Sequence, residues 1–366
     1  MYIVVTFSII AVFLTYLESI GKLNAGMKCG FVLMAFLGAI HYDYGNDYMS
    51  YLRVYEECTS IPFDLSAILA KEVYREPGWV LLCWAFKYLG GFFSLVAVLN
   101  IIQNIVIYRF IKREVQSNWW PLAMFIYLFS TGFYLMSFSM MRQEFVMVVF
   151  LGLWKYIKER KWLFPLFVLY LCSFVHSSAI VLLPFSFWGF VPIRKGKLIG
   201  LFFVCILLVL WLLKDTLNNI FQYALNLDEG FSDYATTYGE QDNSIHIGLG
   251  FIVNMIPLVL AVFFMFQNKA CYSSEQKLLV SIATASFLIT PFAQIIPIVG
   301  RIGMYFAIFN IGAIPLIYGN VRNNICRLFF LSLFILMTLY DYFLFFNSAV
   351  WRDKYTVFHT IFSQIF

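Results

Sequence analysis

Residues 92–108 read FFSLVAVLNIIQNIVIY, a run without a charged side chain that ends just before Arg109. A helix needs about 20 mostly apolar residues to cross a bilayer, because the hydrocarbon core is about 30 Å thick and each helical residue rises about 1.5 Å. With its flanks, this run is long enough to span. Comparable runs recur along the chain, at about 2–20, 27–43, 92–112, 119–138, 141–157, 198–214, 246–267, 278–298, 302–319 and 328–347.

The composition supports a membrane location. Of the 366 residues, 62% are hydrophobic and 12% are charged, against roughly 45–50% and about 25% in soluble domains. This argues against a soluble enzyme, a disordered chain and a nucleic-acid-binding protein, so no nucleic-acid partner is expected. The seven cysteines have no CxxC or Cys/His spacing and there are only four histidines. We therefore expect no metal site, no disulfide framework and no cofactor.

Two apolar stretches have unusual lengths. Residues 78–90 are too short to span and are predicted to form an amphipathic helix on the outer face, with Trp79 and Trp84 at the headgroup level. Residues 162–192 are too long for one span and predict a hairpin that bends near His176. The whole pattern predicts an all-α polytopic integral membrane protein with about 10–12 transmembrane helices in one domain. The first run lacks a preceding basic segment, so we do not expect a cleaved signal peptide.

The charged residues between the runs predict the orientation. Lysine and arginine dominate one set of linkers, and such linkers stay on the cytoplasmic side. This assignment places both termini outside, together with two acidic loops at about 43–77 and 215–245. The basic linkers include 109–114, 155–161 and 269–277.

The first outer loop contains a candidate catalytic carboxylate. Asp47 is followed at intervals of four by Tyr51 and Tyr55, so a helix would place the three on one face, with Asp43 one turn earlier. A carboxylate beside phenols suits a general base or a site for sugar hydroxyls. The alternative is a tyrosine belt at the membrane surface with solvated acids.

Two further charged positions border apolar runs. Glu76 precedes a Pro-Gly pair, and it either caps the following helix or belongs to a site. Arg142 opens a span and is followed by Gln143 and Glu144. A guanidinium group suits phosphate oxygens, but Arg142 could also snorkel and pair with Glu144.

Polar residues also occur later in the chain. His176 in the predicted hairpin suits a proton carrier or a phosphate donor, although a lone histidine is often structural. Arg301, followed by Tyr305, lies at the predicted depth of the first arginine, and two arginines without an obvious carboxylate partner predict an anionic ligand such as pyrophosphate. Tyr234 and Tyr238 in the second outer loop suit sugar stacking, or they belong to a plain ordered loop.

Taken together, these motifs resemble the EpsG family of bacterial exopolysaccharide proteins, which looks like a branch of the Wzy-type (O-antigen) polysaccharide polymerases. The similarity runs from about residue 25 to 320. It depends on the order and spacing of short motifs and on their predicted location on the same side of the membrane. They are Gly45-Asn46-Asp47-Tyr48 with Tyr51, Glu76-Pro77-Gly78, Arg142-Gln143, His176-Ser177-Ser178-Ala179, and Arg301 with Tyr305.

The resemblance implies a glycosyltransferase of the bacterial inner membrane, with a core similar to that of the GT-C glycosyltransferases. Such polymerases join repeat units carried on undecaprenyl pyrophosphate at the outer, periplasmic face. The implied partners are therefore the lipid-linked oligosaccharide and the bilayer, with a chain-length regulator and a flippase in the same pathway.

The polar residues permit a mechanism of this kind. Asp47 is the first choice for the base that takes the proton of the acceptor hydroxyl, with Glu76 and Glu144 as alternatives. Arg142 and Arg301, together with His176, would neutralise the leaving pyrophosphate. The expected substrate-binding residues are Arg301, Tyr51, Glu76, Gln143, Tyr305, Tyr234 and Tyr238.

Other classes of membrane protein stay open as alternatives. A membrane O-acetyltransferase also has many spans and an intramembrane histidine, but it needs acyl-CoA from the cytosolic side. An O-antigen ligase-like transferase differs only in its acceptor. A lipid-linked oligosaccharide flippase or transporter would place charges along a central path and show an internal repeat.

Overall fold

The computed structural model describes residues 1–191, 273–293 and 297–364, and these residues are mostly helical. The first part of the chain forms α1 (Tyr2–Ser19), α2 (Gly26–Ile40), α3 (Tyr48–Ser60), α4 (Leu65–Leu69), α5 (Pro77–Lys87), α6 (Gly91–Glu114), α7 (Trp120–Phe129), α8 (Met141–Lys158) and α9 (Leu163–Val175). The second part forms α10 (Ser274–Ala293), α11 (Pro297–Ala307), α12 (Asn310–Gly319), α13 (Asn324–Asn347) and α14 (Arg352–Tyr355). Short 3₁₀ helices cover Ser117–Trp119, Met136–Phe138, Ser177–Phe190 and Ile361–Gln364, and strands β1 (His41–Tyr42) and β2 (His359–Thr360) pair antiparallel.

The chain is an all-α polytopic membrane protein. By length and composition, α1, α6 and α13 are each able to cross a membrane, and residues 300–307 with α12 form a further pair bent by 58°. Among the described residues, these are the helices that meet both criteria. The predicted runs 198–214 and 246–267 lie outside those residues, as does the loop at 215–245 with Tyr234 and Tyr238.

One predicted span is not a single helix. The run 119–138 predicted one helix, but α7 ends at Phe129, and a short 3₁₀ helix follows only at Met136. Ser130, Thr131 and Gly132 lie at the break, and serine, threonine and glycine are all weaker helix formers than the apolar residues around them. The hairpin predicted for 162–192 is present, because α9 ends at Val175 and the 3₁₀ helix starts at Ser177.

Both chain ends meet the first loop at one end of the bundle, which we call the site end. The Met1 amino group donates to the Thr356 carbonyl at 2.5 Å. In the two-stranded pairing, His41 lies opposite Thr360, and Lys354 Nζ lies 2.8 Å from Asp43 Oδ1. The termini and the first acidic loop therefore share one side, as the charge pattern predicted.

The predicted basic linkers meet at the opposite end, the basic end. Lys112 pairs with Glu18 at 2.7 Å, and Lys158 lies 3.1 Å from Glu114 and 3.0 Å from Glu275. The lysine and arginine bias still predicts that this end faces the cytoplasm.

A small aromatic core lies at the site end, separate from the main core of the bundle. It contains Tyr51, Trp79 and Phe92 from α3, α5 and α6, together with Val175 at the end of α9. Helix α5 packs against α3, α6 and α9. Trp79 and Trp84 are 0% and 8% exposed, so both rings pack against other parts of the protein.

Candidate functional site

Glu76 lies at the centre of the polar cluster at the site end and is only 1% exposed. Its Oε2 accepts a hydrogen bond from Arg142 Nη1. Its Oε1 lies 3.0 Å from His176 Nδ1 and accepts from the Ser177 backbone N–H at 3.0 Å. Glu76 occupies the N-cap position of α5, and its backbone carbonyl accepts from the Trp79 N–H at 3.0 Å. Its side chain makes no capping hydrogen bond, because the carboxylate oxygens bind these partners instead.

The partners of Glu76 keep its carboxylate ionised. Burial alone would raise the pKa of Glu76, since a charge is costly in an apolar environment. The hydrogen bond from His176, the positive charge of Arg142 and the Ser177 N–H outweigh that effect and lower the pKa to about 2. Glu76 is therefore an anionic anchor for two basic side chains, which makes it a poor general base.

Arg142 lies in an aromatic pocket near Glu76. Its Nη1 donates to Tyr74 Oη at 2.8 Å, and its guanidinium carbon lies 5.2, 5.4 and 6.0 Å from the ring centres of Tyr51, Tyr74 and Trp79. These distances are typical of cation–π contacts. The prediction that this arginine lacks a carboxylate partner is wrong, and so is the alternative pairing with Glu144, because Glu76 is its partner.

Gln143 and Glu144 point away from Glu76. Gln143 Nε2 donates to the Arg301 carbonyl at 2.7 Å, which joins α8 to α11. Glu144 Oε1 accepts from Gln103 Nε2 on α6 at 2.9 Å. Tyr305, which is fully buried, makes a 2.7 Å hydrogen bond to Ser178 and joins α11 to the 3₁₀ helix. Gln143 and Tyr305 thus fix α11 beside the cluster.

Asp47 lies just before α3, at its N-cap position. Its side chain is exposed, whereas Tyr51 and Tyr55 lie on the buried face of that helix. The protein around Asp47 nonetheless raises the pKa of its carboxyl by burial, and the positive charges of Arg301 and Arg142 act in the opposite direction. Both guanidinium groups are therefore close enough to act on Asp47.

The loop that carries Asp47 is held by tight local packing. Gly45 has a φ of 115°, which favours glycine. A Cβ on Gly45 would lie 2.4 Å from the Phe138 carbonyl oxygen, so a side chain does not fit. The Asn46 N–H donates to Ser139 Oγ at 2.7 Å. Asp43, predicted on the face of Asp47, instead pairs with Lys354.

Sequence reasoning missed the residues that hold this loop from a distance. Ser139 Oγ is hydrogen-bonded to Tyr355 Oη at 2.9 Å, and Asn46 Nδ2 donates to the Val350 carbonyl at 2.9 Å. These partners come from the segment after the last long helix, where the sequence has no recognisable motif. No three His, Cys, Asp or Glu side chains within the described ranges come together as a metal-ligand group.

The fold and this charged cluster define a class: a polytopic membrane protein whose polar site lies at one end of a helical bundle. A family model described as "EpsG family" matches residues 27–359, so the chain belongs to the EpsG family, as the motifs predicted. EpsG-type proteins are polysaccharide-polymerase-like, which makes this chain a membrane protein of polysaccharide biosynthesis. No curated protein and no solved structure matches it significantly.

Proposed function

We propose that this protein is a polysaccharide polymerase that transfers a glycan from undecaprenyl pyrophosphate onto a lipid-linked repeat unit at the outer face of the inner membrane. The observation that carries the proposal is a set of buried polar atoms, on Arg142, on the adjacent Gln143 and on Trp79, that have no hydrogen-bond partner among the described residues. Arg142 Nε, Trp79 Nε1 and Gln143 Oε1 are buried, and none of them has a hydrogen-bond partner in the described part of the chain. Buried polar atoms are nearly always paired, so these groups suit a ligand.

The charges around these atoms suit a diphosphate leaving group. Glu76 neutralises part of the charge on Arg142, but the Nε–H of Arg142 still lacks an acceptor. The positive charge of Arg301 also acts on Asp47 and lowers the pKa of its carboxyl group. As the bond between the donor sugar and the diphosphate breaks, negative charge collects on the leaving oxygen, and fixed donors at a site of low polarity stabilise that charge.

The acceptor side of the reaction needs a group that takes a proton. The acceptor hydroxyl attacks the anomeric carbon of the donor, and its proton passes to a base while the lipid diphosphate leaves. Asp47 suits this role because the residue is accessible to solvent and the surrounding protein raises the pKa of its carboxyl group. No hydrogen bond joins that carboxylate to another residue in the described segments, which leaves it free to meet a hydroxyl.

Polymer length in cells tests this function. In a strain that lacks the native gene, we expect Arg142→Ala and Arg301→Ala to yield mostly single repeat units. Loss of one such donor typically costs about 2.7–4 kcal/mol of barrier, or 10²–10³ in rate. Arg352→Ala is the matched control, because Arg352 is exposed at the same end and its ion pair within the described residues is with its neighbour Asp353. All proteins must be compared at equal levels in the membrane.

The site at which the repeat units accumulate separates the rival functions. A defective polymerase leaves single units displayed outside, whereas a defective flippase traps them inside. A defective acetyltransferase keeps the polymer and loses its acetyl groups. Full-length polymer from both arginine variants would contradict the proposed function.

A further inference from the structure

The two oxygens of the Glu76 carboxylate bind two different side chains. One oxygen, Oε2, binds Arg142, and the other, Oε1, lies 3.0 Å from His176 Nδ1. These contacts join positions that are 66 and 100 residues apart in the chain. A single buried anion therefore sets the spacing between the guanidinium and the imidazole.

The direction of the His176 hydrogen bond follows from the chemistry of its partner. An ionised carboxylate can only accept, so His176 Nδ1 must carry the proton in this contact. The Ser177 N–H donates to the same oxygen at 3.0 Å, which fixes that oxygen as an acceptor. In a neutral imidazole with a protonated Nδ1, the other nitrogen, Nε2, carries a lone pair and accepts a hydrogen bond.

The backbone brings these groups together at a close crossing of two helices. His176 is extended, with φ −148° and ψ 114°, between the end of α9 and the following 3₁₀ helix. Gly78 in the first turn of α5 lies directly against the end of α9: a Cβ there would be 2.8 Å from the Phe174 carbonyl carbon. The sequence Glu-Pro-Gly thus provides the carboxylate, a helix start and the space for close approach.

We infer that Glu76 is a positioning residue that fixes the tautomer of His176, and that His176 meets the substrate through Nε2 as an acceptor for a sugar hydroxyl. In this assignment Arg142 and Arg301 bind the diphosphate and His176 binds the sugar. The assignment rests on the proposed function. A neutral imidazole with its only N–H on Glu76 has no donor for a phosphate oxygen. The role of phosphate donor that the sequence suggested for His176 is thereby replaced by a contact with the glycan.

Nitrogen-15 NMR of histidine-labelled protein in nanodiscs tests the tautomer directly. The chain has four histidines, so the spectrum is simple, and His176→Gln identifies the signal of His176 by its loss. In the ligand-free protein we expect Nδ1 of His176 to be protonated and Nε2 to carry the lone pair. The opposite tautomer in the unmodified protein would overturn the inference without any mutation.

Two glutamine variants show whether Glu76 sets the tautomer. Glu76→Gln places an amide that can donate or accept beside His176, so we expect a mixture of both tautomers. Glu144→Gln is the matched control, since Glu144 is also a buried glutamate but binds Gln103. We expect that variant to leave the His176 signal unchanged. An unchanged tautomer in folded Glu76→Gln would show that Glu76 does not position the ring.

Inorganic pyrophosphate is the probe for the second half of the inference. We expect it to shift the Arg142 Nε signal of arginine-labelled protein while Nε2 of His176 keeps its lone pair. Protonation of Nε2 on addition of pyrophosphate would overturn the assigned roles. A lack of any response would contradict the diphosphate site of the proposed function, and with it the assignment of roles at the substrate. The tautomer of the free protein still tests Glu76 separately.

Discussion

Glu76 and Glu144 are both buried glutamates, with exposed fractions of 1% and 4%, but their surroundings differ sharply. Glu76 is bound by a guanidinium, an imidazole and a backbone N–H. Glu144 accepts one hydrogen bond from Gln103, and its Oε2 has no partner among the described residues. A buried carboxylate is costly unless cations and donors surround it, so only Glu76 has the surroundings that a permanent charge requires.

The comparison shows that two charged side chains of one helix, α8, can lie in different surroundings. Arg142 and Glu144 are two positions apart on α8, and residues with that spacing do not face each other. Arg142 therefore points to the aromatic pocket at the site end, and Glu144 points to α6. A charged side chain in an apolar helix of this sequence therefore does not by itself mark the site. Which face of the helix carries that side chain decides whether it reaches the site.

The largest expected effect comes from removing Glu76. Glu76→Ala leaves Arg142 buried without its anion, and the loss of one partner of a buried ion pair typically costs about 3–5 kcal/mol. Thermal unfolding of the purified protein in nanodiscs measures the change. In the double variant with Arg142→Ala, the total loss should be well below the sum of the two single losses. Additive losses would show that the two side chains do not depend on each other.

A smaller loss is expected from crowding the helix crossing. Gly78→Ala places a Cβ 2.8 Å from the Phe174 carbonyl carbon, so α5 must move away from α9. Such overpacking typically costs about 1–3 kcal/mol. Gly152→Ala is the control, because its Cβ would make an ordinary 3.4 Å contact with Val106. Equal unfolding temperatures for the two variants would contradict the close crossing.

The contribution of the Glu76 charge should depend on pH. Its pKa is lowered from 4.5 to about 2, so the ionised form stabilises the fold above 4.5, and this stability is lost as the pH falls toward 2. Hence the stability difference between the unmodified protein and Glu76→Gln should be constant at neutral pH and shrink in acid. Unfolding at a series of pH values measures it, with Glu72→Gln as the exposed control. A difference that does not change with pH would contradict the low pKa.

The smallest effect is expected at the other buried glutamate. In Glu144→Gln, the amide oxygen still accepts from Gln103, so the one hydrogen bond of this neutral buried side chain is kept. We expect the free energy of unfolding to change by less than about 1 kcal/mol, the scale of one neutral hydrogen bond. A loss as large as that of Glu76→Ala would mean that Glu144 also has a cationic partner.

The sequence predicted the apolar helices and the family motifs, but not how the motifs meet. Local hydrophobicity sets where α1, α6 and α13 form, because apolar side chains favour the bilayer and a helix pairs its own backbone polar groups there. The contact of Glu76 with His176 spans 100 residues, and no short-range pattern encodes a pairing at that distance. The same holds for Asp43 and Lys354, which are separated by 311 residues.

The anchors of the Asp47 loop also impose an order on biogenesis. Lys354, Val350 and Tyr355 leave the ribosome about three hundred residues after the loop that they hold. The loop cannot reach its final position until the last long helix has entered the bilayer and the following segment has folded back. A ribosome that stalls before that point leaves an inserted bundle whose Asp47 loop is not yet held in place, so the site is complete only after residues 350–355 have been translated.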